Sequence, residues 1–413
     1  MTIPIASSTQ DTEYHSRLSL FRRNNKVLEK LLKVLDLSDK DRKFWWTVSS
    51  GILAVLLEKC SYDDNLQLKF LRLFHQILPA FGPRPNEQGD CIRWSPLTLD
   101  SSPIDFSWNY DGSNSIVRLA IDNYASPDDP FAQKATKTLL HSLPGMDFEL
   151  FNVISEEVWI KPGSEAETRV LEQYSKSSYA GRPCHILSAL DFLKDGSVTA
   201  KVYVTARTAA CAKGTTVARL VSNLIQMLDA KIFQATPLMP AYQVIDAYNE
   251  GLPKSEKQSV CLISWDCVKP LQSRVKLYLS SRKTSLKVIR DMWTQRGRLT
   301  GPVIDKGLEC IDELWPLLYC PPEGYRGEDE LKNRDGRSQA VLMNLELKPG
   351  KSLPAPKLYI QPSYFCGNDM DVAKSLARWF DSKGWSLGKT YVDDLKYALS
   401  VFLQPMHNLR SVS

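Results

Sequence analysis

The sequence lacks the features that mark membrane, secreted and zinc-binding proteins. Its 413 residues contain no apolar run of the roughly 18 residues that a membrane-spanning helix needs. The opening residues, MTIPIASSTQDTEYHSR, have neither the basic nor the apolar region of a secretory signal. The nine cysteines are scattered, with no CxxC pair and no Cys/His pair at zinc spacing. We therefore expect a cytoplasmic protein with reduced thiols, no membrane association and no structural zinc.

A strong net charge is absent as well. The chain carries 52 lysine and arginine residues against 47 aspartate and glutamate residues, for a formal net charge of +5. That balance permits an anionic small ligand but is far from the charge of a protein that coats nucleic acid. Hydrophobic residues make up 43% of the sequence and charged residues 24%, as in globular proteins. We expect a small-molecule partner and no nucleic acid.

What is present is a repeated strand pattern. The stretch RVKLYLS, residues 274–280, alternates polar and apolar side chains, so that two cations and a tyrosine share one face of a strand. The Lys-x-Tyr element recurs at near-regular spacing in AKVYVTA and PKLYIQP, and IVRLAID places an arginine on a similar strand. Three copies indicate an internal repeat. The residues on this face are Arg118, Lys201, Tyr203, Arg274, Lys276, Tyr278, Lys357 and Tyr359.

Each of these strands follows a partner strand across a turn-rich link, which predicts hairpins. Four hairpins pair residues 104–110 with 116–122, 185–192 with 200–206, 260–268 with 274–280, and 339–347 with 357–362. A fifth, shorter candidate pairs KTYVDDL with KYALSVFL, residues 389–395 and 396–403. Apolar residues at three- and four-residue spacing predict helices between the hairpins, at 215–230, 283–296, 308–320 and 371–384.

The order of helix, strand, strand predicts an α+β fold in which about ten antiparallel strands close into a barrel. Closure removes exposed strand edges, and an outer ring of helices would cover the Val/Leu faces. The Arg/Lys/Tyr faces would then line a solvent-filled lumen. We expect a single domain over residues 26–413, preceded by a flexible segment at 1–25.

A ring of cations in a lumen requires an anion, because buried lysines and arginines are unfavourable unless paired. The sequence places few acids beside these cations, so a bound polyanion would satisfy them. Tyrosine rings stabilise a cation through their quadrupole. The combination suits an allylic diphosphate, which ionises to a diphosphate and a carbocation. The alternatives for these residues are a solvated strand face, an edge that resists pairing, or a groove for nucleic acid.

At this point the sequence resembles a family. The stretches FWW (44–46), LPAFGPRP (78–85), WSPLTLDSSPIDFSWNY (94–110) and SRVKLYL (273–279) resemble the fungal aromatic prenyltransferases of the dimethylallyltryptophan synthase type, over about residues 40 to 405. The resemblance implies the ABBA prenyltransferase barrel. It also implies transfer of a prenyl group, usually dimethylallyl from its diphosphate, to an indole or another electron-rich aromatic. No cofactor would be required, Mg²⁺ would be optional, and the protein would be a monomer or homodimer.

The resemblance also implies roles for individual residues. Arg118, Lys201, Arg274 and Lys276 would bind the diphosphate, and Lys357, where tryptophan-using members often carry glutamine, would add a phosphate ligand. Tyr203, Tyr278 and Tyr359 would shield the allylic cation. Asp105 falls where the family commonly has a glutamate that accepts the indole N–H, and a carboxylate there would raise the nucleophilicity of the ring.

Three departures from the family pattern bear on the acceptor. Asp105 is one methylene shorter than glutamate. The stretch CHILSALDF contains no lysine to remove the arenium proton, and His185 nearby is either that base or a core histidine. The last hairpin is shortened and a late arginine is not evident. These departures argue against free tryptophan alkylated at C4. The first hypothesis is therefore an aromatic prenyltransferase whose acceptor is another indole-containing small molecule, such as a cyclic dipeptide or an indole alkaloid.

Metal chemistry has little support in the sequence, whereas other functions remain as alternatives. The DDxxD motif that holds Mg²⁺ and diphosphate in terpene synthases is absent, since YDDNLQ, SPDDPF and YVDDLKY each lack the third aspartate. We therefore expect no metal site, because lysines and arginines can neutralise the diphosphate. The same barrel acting on a phenolic or tricyclic acceptor, a diphosphate-dependent cyclase, and a non-catalytic anion-binding protein are the alternative functions.

Overall fold

The computed structural model describes residues 25–85, 95, 97–98, 102–111, 114–175 and 185–400, without the side chains of residues 111, 399 and 400. The N-terminal segment that the sequence analysis set apart, residues 1–25, lies outside this range except for Asn25. Asn25 caps the first helix, because its side chain accepts a hydrogen bond from the backbone N–H of Leu28 at 2.9 Å. None of the described helices is both long and apolar enough to cross a bilayer.

The chain divides into two compact units, and the first comprises Met1–Met146, Tyr179–Ala200 and Trp385–Ser413. Helices and strands are numbered in chain order through both units. The described helices of unit 1 are α1 (Lys26–Leu32), α2 (Lys40–Lys59), α3 (Asp64–Ile77), α4 (Gln133–His141) and α13 (Leu387–Ser400), with a 3₁₀ turn at Leu78–Phe81. Its strands are β1 (Ile104–Asp111), β2 (Asn114–Ile121) and β3 (Ile186–Phe192), which pair antiparallel in that order.

Aromatic side chains form the core of unit 1. Trp46 on α2, Phe70 and Phe74 on α3, and Phe81 are almost completely buried. Phe74 also contacts Phe106 of β1, with ring centroids 6.0 Å apart. Burial of such large apolar surfaces contributes roughly 2–3 kcal/mol for each side chain. The helices therefore cover the apolar face of β1 and β2, and the opposite face keeps the polar residues.

Unit 2 comprises Asp147–Ser178 and Lys201–Gly384. Its helices are α5 (Glu149–Val158), α6 (Glu165–Ser175), α7 (Ala206–Ala212), α8 (Val217–Lys231), α9 (Met239–Glu250), α10 (Leu286–Thr294), α11 (Pro302–Leu318) and α12 (Asp369–Ser382), with 3₁₀ turns at Pro270–Gln272 and Pro362–Tyr364. Its strands are β4 (Val198–Thr205, of which Lys201–Thr205 belong to this unit), β5 (Ser259–Asp266), β6 (Val275–Ser281), β7 (Val341–Leu347) and β8 (Ala355–Tyr359). Within unit 2, the strands β4 to β8 succeed one another in chain order, each paired antiparallel with the next.

The strands of unit 2 have two chemically different faces, as the alternation predicted. On β6, Val275, Leu277 and Leu279 are at most 2% exposed and lie on the apolar face. Helices cover that face: Phe151 of α5 contacts Trp265 of β5, with ring centroids 6.2 Å apart. The opposite face carries the cations and tyrosines of the Lys-x-Tyr repeat.

Four of the five predicted hairpins and the four predicted helices are confirmed, at bounds close to those expected. The fifth hairpin is wrong, because Leu387–Ser400 forms helix α13. This stretch has no glycine or proline after Gly388 to make a turn, and its apolar residues recur at helical spacing. Tyr391 of α13 packs near Trp108 and Tyr110 of β1, at 6.4 and 6.5 Å between ring centroids. The described residues therefore contain eight strands where about ten were expected.

Candidate active site

The pairing register of unit 2 places the basic residues of one strand beside acidic and polar residues of the next. Lys201 on β4 lies opposite Asp266 on β5, and Lys276 on β6 lies opposite Glu346 on β7. Residues directly opposite each other in an antiparallel pair project to the same face. These side chains therefore share the polar face of the sheet.

Two carboxylates connect these cations into an ion-pair network. Asp266 accepts a hydrogen bond from Nζ of Lys276 at 2.6 Å and one from Nε of Arg274 at 3.1 Å. Arg274 also donates a hydrogen bond from Nη1 to Oε2 of Glu346, at 2.7 Å. Asp266 and Lys276 are 6% and 3% exposed, so this pair is shielded from water. Charged hydrogen bonds in such surroundings are short and directional.

The expectation that few acids accompany the cations is therefore wrong. Asp191, Asp266 and Glu346 each pair with a cation of the repeat. The sequence did contain a signal for them, because the first strand of three hairpins ends in a similar pattern: LDF, WDC and LEL. In each, an acid stands between two residues of the apolar face. Sequence reasoning followed the second strands and overlooked this feature of the first.

The network sets the protonation of its basic members. Burial lowers the pKa of Lys276, and the neighbouring Asp266 carboxylate opposes this effect. Burial also acts to lower the pKa of Arg274, but Asp266 and Glu346 outweigh it and the pKa of Arg274 is raised. Asp266 is therefore the main group that favours the charged form of the buried lysine, and Glu346 adds a smaller effect in the same direction.

The three tyrosines of the repeat lie together in a row. The ring centroids of Tyr203 and Tyr278 are 5.9 Å apart, and those of Tyr278 and Tyr359 are 5.6 Å apart. The hydroxyls of Tyr278 and Tyr359 are 3.3 Å apart, and Asn344 donates to Tyr359 at 3.3 Å. Burial raises the pKa of Tyr278, so its phenol stays neutral. Lys357, with an exposed side chain, places Nζ 5.7 Å from the centroid of the Tyr359 ring.

The two remaining predicted site residues, Asp105 and Arg118, belong to unit 1. Both lie on the face of β1 and β2 opposite the apolar core, because Arg118 is paired with Ser107, two residues from Asp105. Arg118 makes a two-point contact with Asp191, at 2.5 Å from Nε to Oδ1 and 3.1 Å from Nη2 to Oδ2. Burial raises the pKa of Asp105 above its usual range.

His185 lies just before β3 and is buried at 2% exposure. Its ring meets Phe131 edge-on, with centroids 5.8 Å apart. This packing is what a core histidine would have. Over the part of the chain that the structure describes, no three His, Cys, Asp or Glu side chains are gathered closely enough to hold a metal ion.

Chemically, the polar face of unit 2 combines a charged region with a neutral aromatic one. The charged region contains Arg274 and Lys276 with their partners Asp266 and Glu346, and the buried Lys201 lies opposite Asp266. Lysine and arginine side chains attract an anion, and the tyrosine row beside them attracts a cation. A ligand that separates into an anion and a cation is therefore suited to this face.

Comparison with known protein families identifies the chain. Residues 41–394 match the tryptophan dimethylallyltransferase family. The chain belongs to this family. It is a prenyltransferase, and the fold class that the sequence predicted is confirmed.

Individual relatives of this prenyltransferase support the assignment. It is 30% identical over 375 residues to 7-dimethylallyltryptophan synthase from Aspergillus fumigatus, a match covering 86% of this chain and 77% of the relative. Among solved structures, AnaPT from Neosartorya fischeri matches with a TM-score of 0.76 at 25% identity, over 90% of this chain and 89% of AnaPT. NotF in complex with brevianamide F and DMSPP matches with a TM-score of 0.74 at 24% identity, over 90% and 89% of the two chains.

Proposed function

We propose that this prenyltransferase transfers a dimethylallyl group from its diphosphate to an indole-containing small molecule, such as a cyclic dipeptide or an indole alkaloid. One observation carries the proposal for the donor: a buried set of cations lies next to three neighbouring tyrosines on one sheet face. The indole acceptor is supported by the relative named for 7-dimethylallyltryptophan. A phenolic or tricyclic acceptor and internal cyclisation remain as the second candidate function.

The donor diphosphate would bind to Arg118, Lys201, Arg274, Lys276 and Lys357. As the C–O bond of the donor breaks, both bonding electrons leave with the diphosphate, and these cations neutralise the charge that develops on it. Arg274 and Lys276 are well prepared for this task, because their carboxylate partners hold them in place before the ligand arrives. Asp266 and Glu346 are thus positioning residues, since they act through the two cations.

The other fragment is an allylic carbocation, which would lie against Tyr203, Tyr278 and Tyr359. Neutral aromatic faces attract a cation by about 0.5–2 kcal/mol each, more when water is excluded. The raised pKa of Tyr278 keeps that phenol protonated, so it cannot supply an oxyanion that would capture the cation. The tyrosine row would therefore lengthen the lifetime of the cation until the acceptor attacks.

Asp105 would accept a hydrogen bond from the N–H of the indole. Withdrawing positive charge from that N–H as the ring attacks makes the ring a stronger nucleophile. The carboxylate form is the one that acts, and burial makes that form harder to reach.

Neutralisation by lysine and arginine makes a divalent metal unnecessary, so we include metal independence in the proposal. The chain would act in the cytoplasm as a monomer or homodimer, without a nucleic-acid or membrane partner. Reduced thiols at the seven described cysteines suit that compartment.

Incubation with dimethylallyl diphosphate and a panel of acceptors tests the proposal. The panel should contain tryptophan, tryptophan-containing cyclic dipeptides, an indole alkaloid, a phenol and a tricyclic aromatic, and products should be analysed by mass spectrometry. An indole product heavier by one C5H8 unit is the expected result. Modification of only the phenol or the tricyclic compound would support the second candidate. Release of diphosphate without an alkylated acceptor would indicate hydrolysis or cyclisation, and no turnover would indicate a non-catalytic anion-binding protein.

A further inference from the structure

Two cysteine side chains of unit 2 lie in contact although they are far apart in the sequence. The Sγ atoms of Cys320 and Cys366 are 3.0 Å apart, although the two residues are 46 positions apart in the sequence. The sulfur–sulfur bond of a disulfide is about 2.05 Å long. A shift of about 1 Å would therefore bring the two sulfurs to bonding distance.

Neighbouring contacts hold the two cysteines in this arrangement. Cys366 points its Sγ at the backbone oxygen of Leu318 at 3.3 Å, in the last turn of α11. The adjacent rings of Tyr319 and Phe365 pack with centroids 5.0 Å apart. The thiols therefore meet because two packed segments meet.

A second set of contacts fixes the segment that carries Cys366. Arg334 donates from its backbone N–H to the oxygen of Tyr364 at 3.0 Å, and from its guanidinium to the oxygens of Ser363 and Gly367 at 3.1 and 2.9 Å. The 3₁₀ turn Pro362–Tyr364 adds local rigidity. Cys366 therefore has a defined position relative to α11 before any oxidation occurs.

The two thiols differ in access to solvent. Cys320 is exposed, at a left-handed backbone position with φ of 46° directly after α11. Cys366 is 4% exposed. Burial, and then the neighbouring Cys320, raise the pKa of Cys366 to about 12. An external reagent would thus react with Cys320 first, and Cys366 would then attack the mixed disulfide formed on Cys320.

We propose that Cys320 and Cys366 form a reversible dithiol–disulfide site that is oxidised by low-molecular-weight disulfides, with glutathione disulfide as the representative. The Cys320 thiolate attacks one sulfur of glutathione disulfide, forming a mixed disulfide and releasing one glutathione thiolate, which takes up a proton. The Cys366 sulfur then attacks the Cys320 sulfur, loses its proton and displaces the second glutathione. Two electrons pass from the protein to the reagent, and two glutathione molecules leave in reduced form.

The bond would clamp the segment that leaves β8. Tyr359 at the end of β8 is seven residues before Cys366, and this segment continues into α12. Cross-linking Cys366 to the end of α11 closes a long loop in the unfolded chain and restricts the motion of the segment in the folded one. The bond itself does not depend on the proposed transferase activity. Only an effect of the disulfide on donor binding, transmitted through β8, would rest on the proposed transferase function.

The test uses the purified full chain, equilibrated without substrates in buffers of graded glutathione to glutathione disulfide ratio. Acid quenching, alkylation with N-ethylmaleimide, proteolysis and mass spectrometry then report the state of each cysteine. We expect a cross-linked product of the two peptides that contain Cys320 and Cys366. Its mass should be lower by two hydrogen atoms than the summed mass of the two reduced peptides, and dithiothreitol should separate them. In the oxidised protein, amide hydrogen exchange in the peptide covering residues 360–368 should slow. The Tm of the oxidised protein should be higher than that of the reduced protein.

Three variants make the outcome decisive. Cys366→Ser, or Cys366→Ala if the serine variant misfolds, should leave a persistent glutathione adduct on Cys320. Cys320→Ser should leave Cys366 reduced, because no exposed partner remains. Cys310→Ser removes a thiol of the same helix α11 and should leave the cross-link unchanged. If native protein keeps both thiols alkylatable, or retains only a glutathione adduct on Cys320 in the most oxidising buffer, the proposal is overturned.

Discussion

The Nζ atom of Lys276 lies 2.6 Å from Oδ1 of Asp266, and both side chains are buried. A buried ion pair adds little to the free energy of unfolding, because desolvation offsets most of the attraction. In this protein the pair keeps Lys276 charged and fixed in orientation, because burial alone would favour the neutral amine. The pair therefore connects the packing of two strands, β5 and β6, to the proposed binding of the donor diphosphate.

Replacement of this lysine tests its role in donor binding. A charge-assisted hydrogen bond contributes about 1.5–3 kcal/mol, so Lys276→Ala should raise the KM for dimethylallyl diphosphate by roughly 10- to 150-fold. The acceptor KM should change far less. Steady-state kinetics with each substrate varied in turn measures both. Lys287→Ala on the surface of α10 also removes one charge and serves as the control. A donor KM that stays at the native value would remove Lys276 from the site.

The carboxylate partner should control how donor binding depends on pH. Donor binding needs the protonated lysine, so it weakens as pH rises through the lowered pKa of Lys276. Asp266→Asn removes the main group that opposes this lowering. The alkaline limb of kcat/KM for the donor should therefore move to lower pH in this variant.

Glu346→Gln is the matched control for that measurement. Glu346 contacts Arg274 and is a smaller influence than Asp266 on the pKa of Lys276. Its substitution should lower donor affinity with much less displacement of the alkaline limb. Equal displacement in the two variants, or none in either, would contradict the positioning role of Asp266.

Changes at Tyr278 separate the ring from its hydroxyl. Tyr278→Phe keeps the aromatic face and loses the contact with the Tyr359 hydroxyl, so it should stay within a fewfold of the native rate. Tyr278→Leu removes a cation–π contact of about 0.5–2 kcal/mol and should slow the reaction by roughly 2- to 30-fold. Single-turnover kinetics with saturating donor reports both rates. Identical rates for the leucine and phenylalanine variants would mean that the ring does not stabilise the cation.

Removal of the Asp105 carboxylate should affect transfer of the prenyl group to the acceptor more than ionisation of the donor. Asp105→Asn keeps the size and removes the charge, so acceptor alkylation should fall by roughly 10²–10⁴-fold, the usual range for a general acid–base group. Donor ionisation should decline less, and free prenyl alcohol should replace part of the alkylated product.

The pH dependence provides a second measure of Asp105. Because burial raises its pKa, the acidic limb of the native profile should lie above the usual range of an aspartate and should disappear in Asp105→Asn. Product analysis by chromatography and mass spectrometry covers both readouts. Alkylation at the native rate in the asparagine variant would make this carboxylate a bystander.

Chelation tests how the diphosphate charge is neutralised. If lysines and arginines perform this task, alkylation should persist in excess EDTA at a rate within a few-fold of the untreated protein. The assay compares EDTA-treated protein with and without added Mg²⁺. Complete loss of activity that Mg²⁺ restores would show that the side-chain cations are insufficient.

Several features of the site could be predicted from the sequence because they are local. The alternation of RVKLYLS places Lys276 and Tyr278 on one face whatever the rest of the chain does, since successive residues of a strand point in opposite directions. The repeat of Lys-x-Tyr then predicted that similar faces occur on several strands. Both predictions are confirmed by the register of β4, β5 and β6.

The carboxylates of the site needed more than local information. Asp266 and Lys276 meet because β5 and β6 pair in one register, and Glu346 joins because β7 pairs with β6 in another. A shift of one residue in either pairing would turn the acid to the opposite face. The LDF, WDC and LEL pattern shows which first-strand residues are acidic, but only the register shows which cation each acid contacts.

The amino-acid sequence by itself determined the order of helices and hairpins, the two faces of each strand and the family, all of which depend on spacing within short stretches. Tertiary structure alone decided the partners of Arg274 and Lys276 and the contact of Cys320 with Cys366. Periodicity is a property of neighbours along the chain. Contacts between residues that are distant in the sequence depend on which segments pack together. Such contacts contribute favourable free energy only when the core and the strand register have formed.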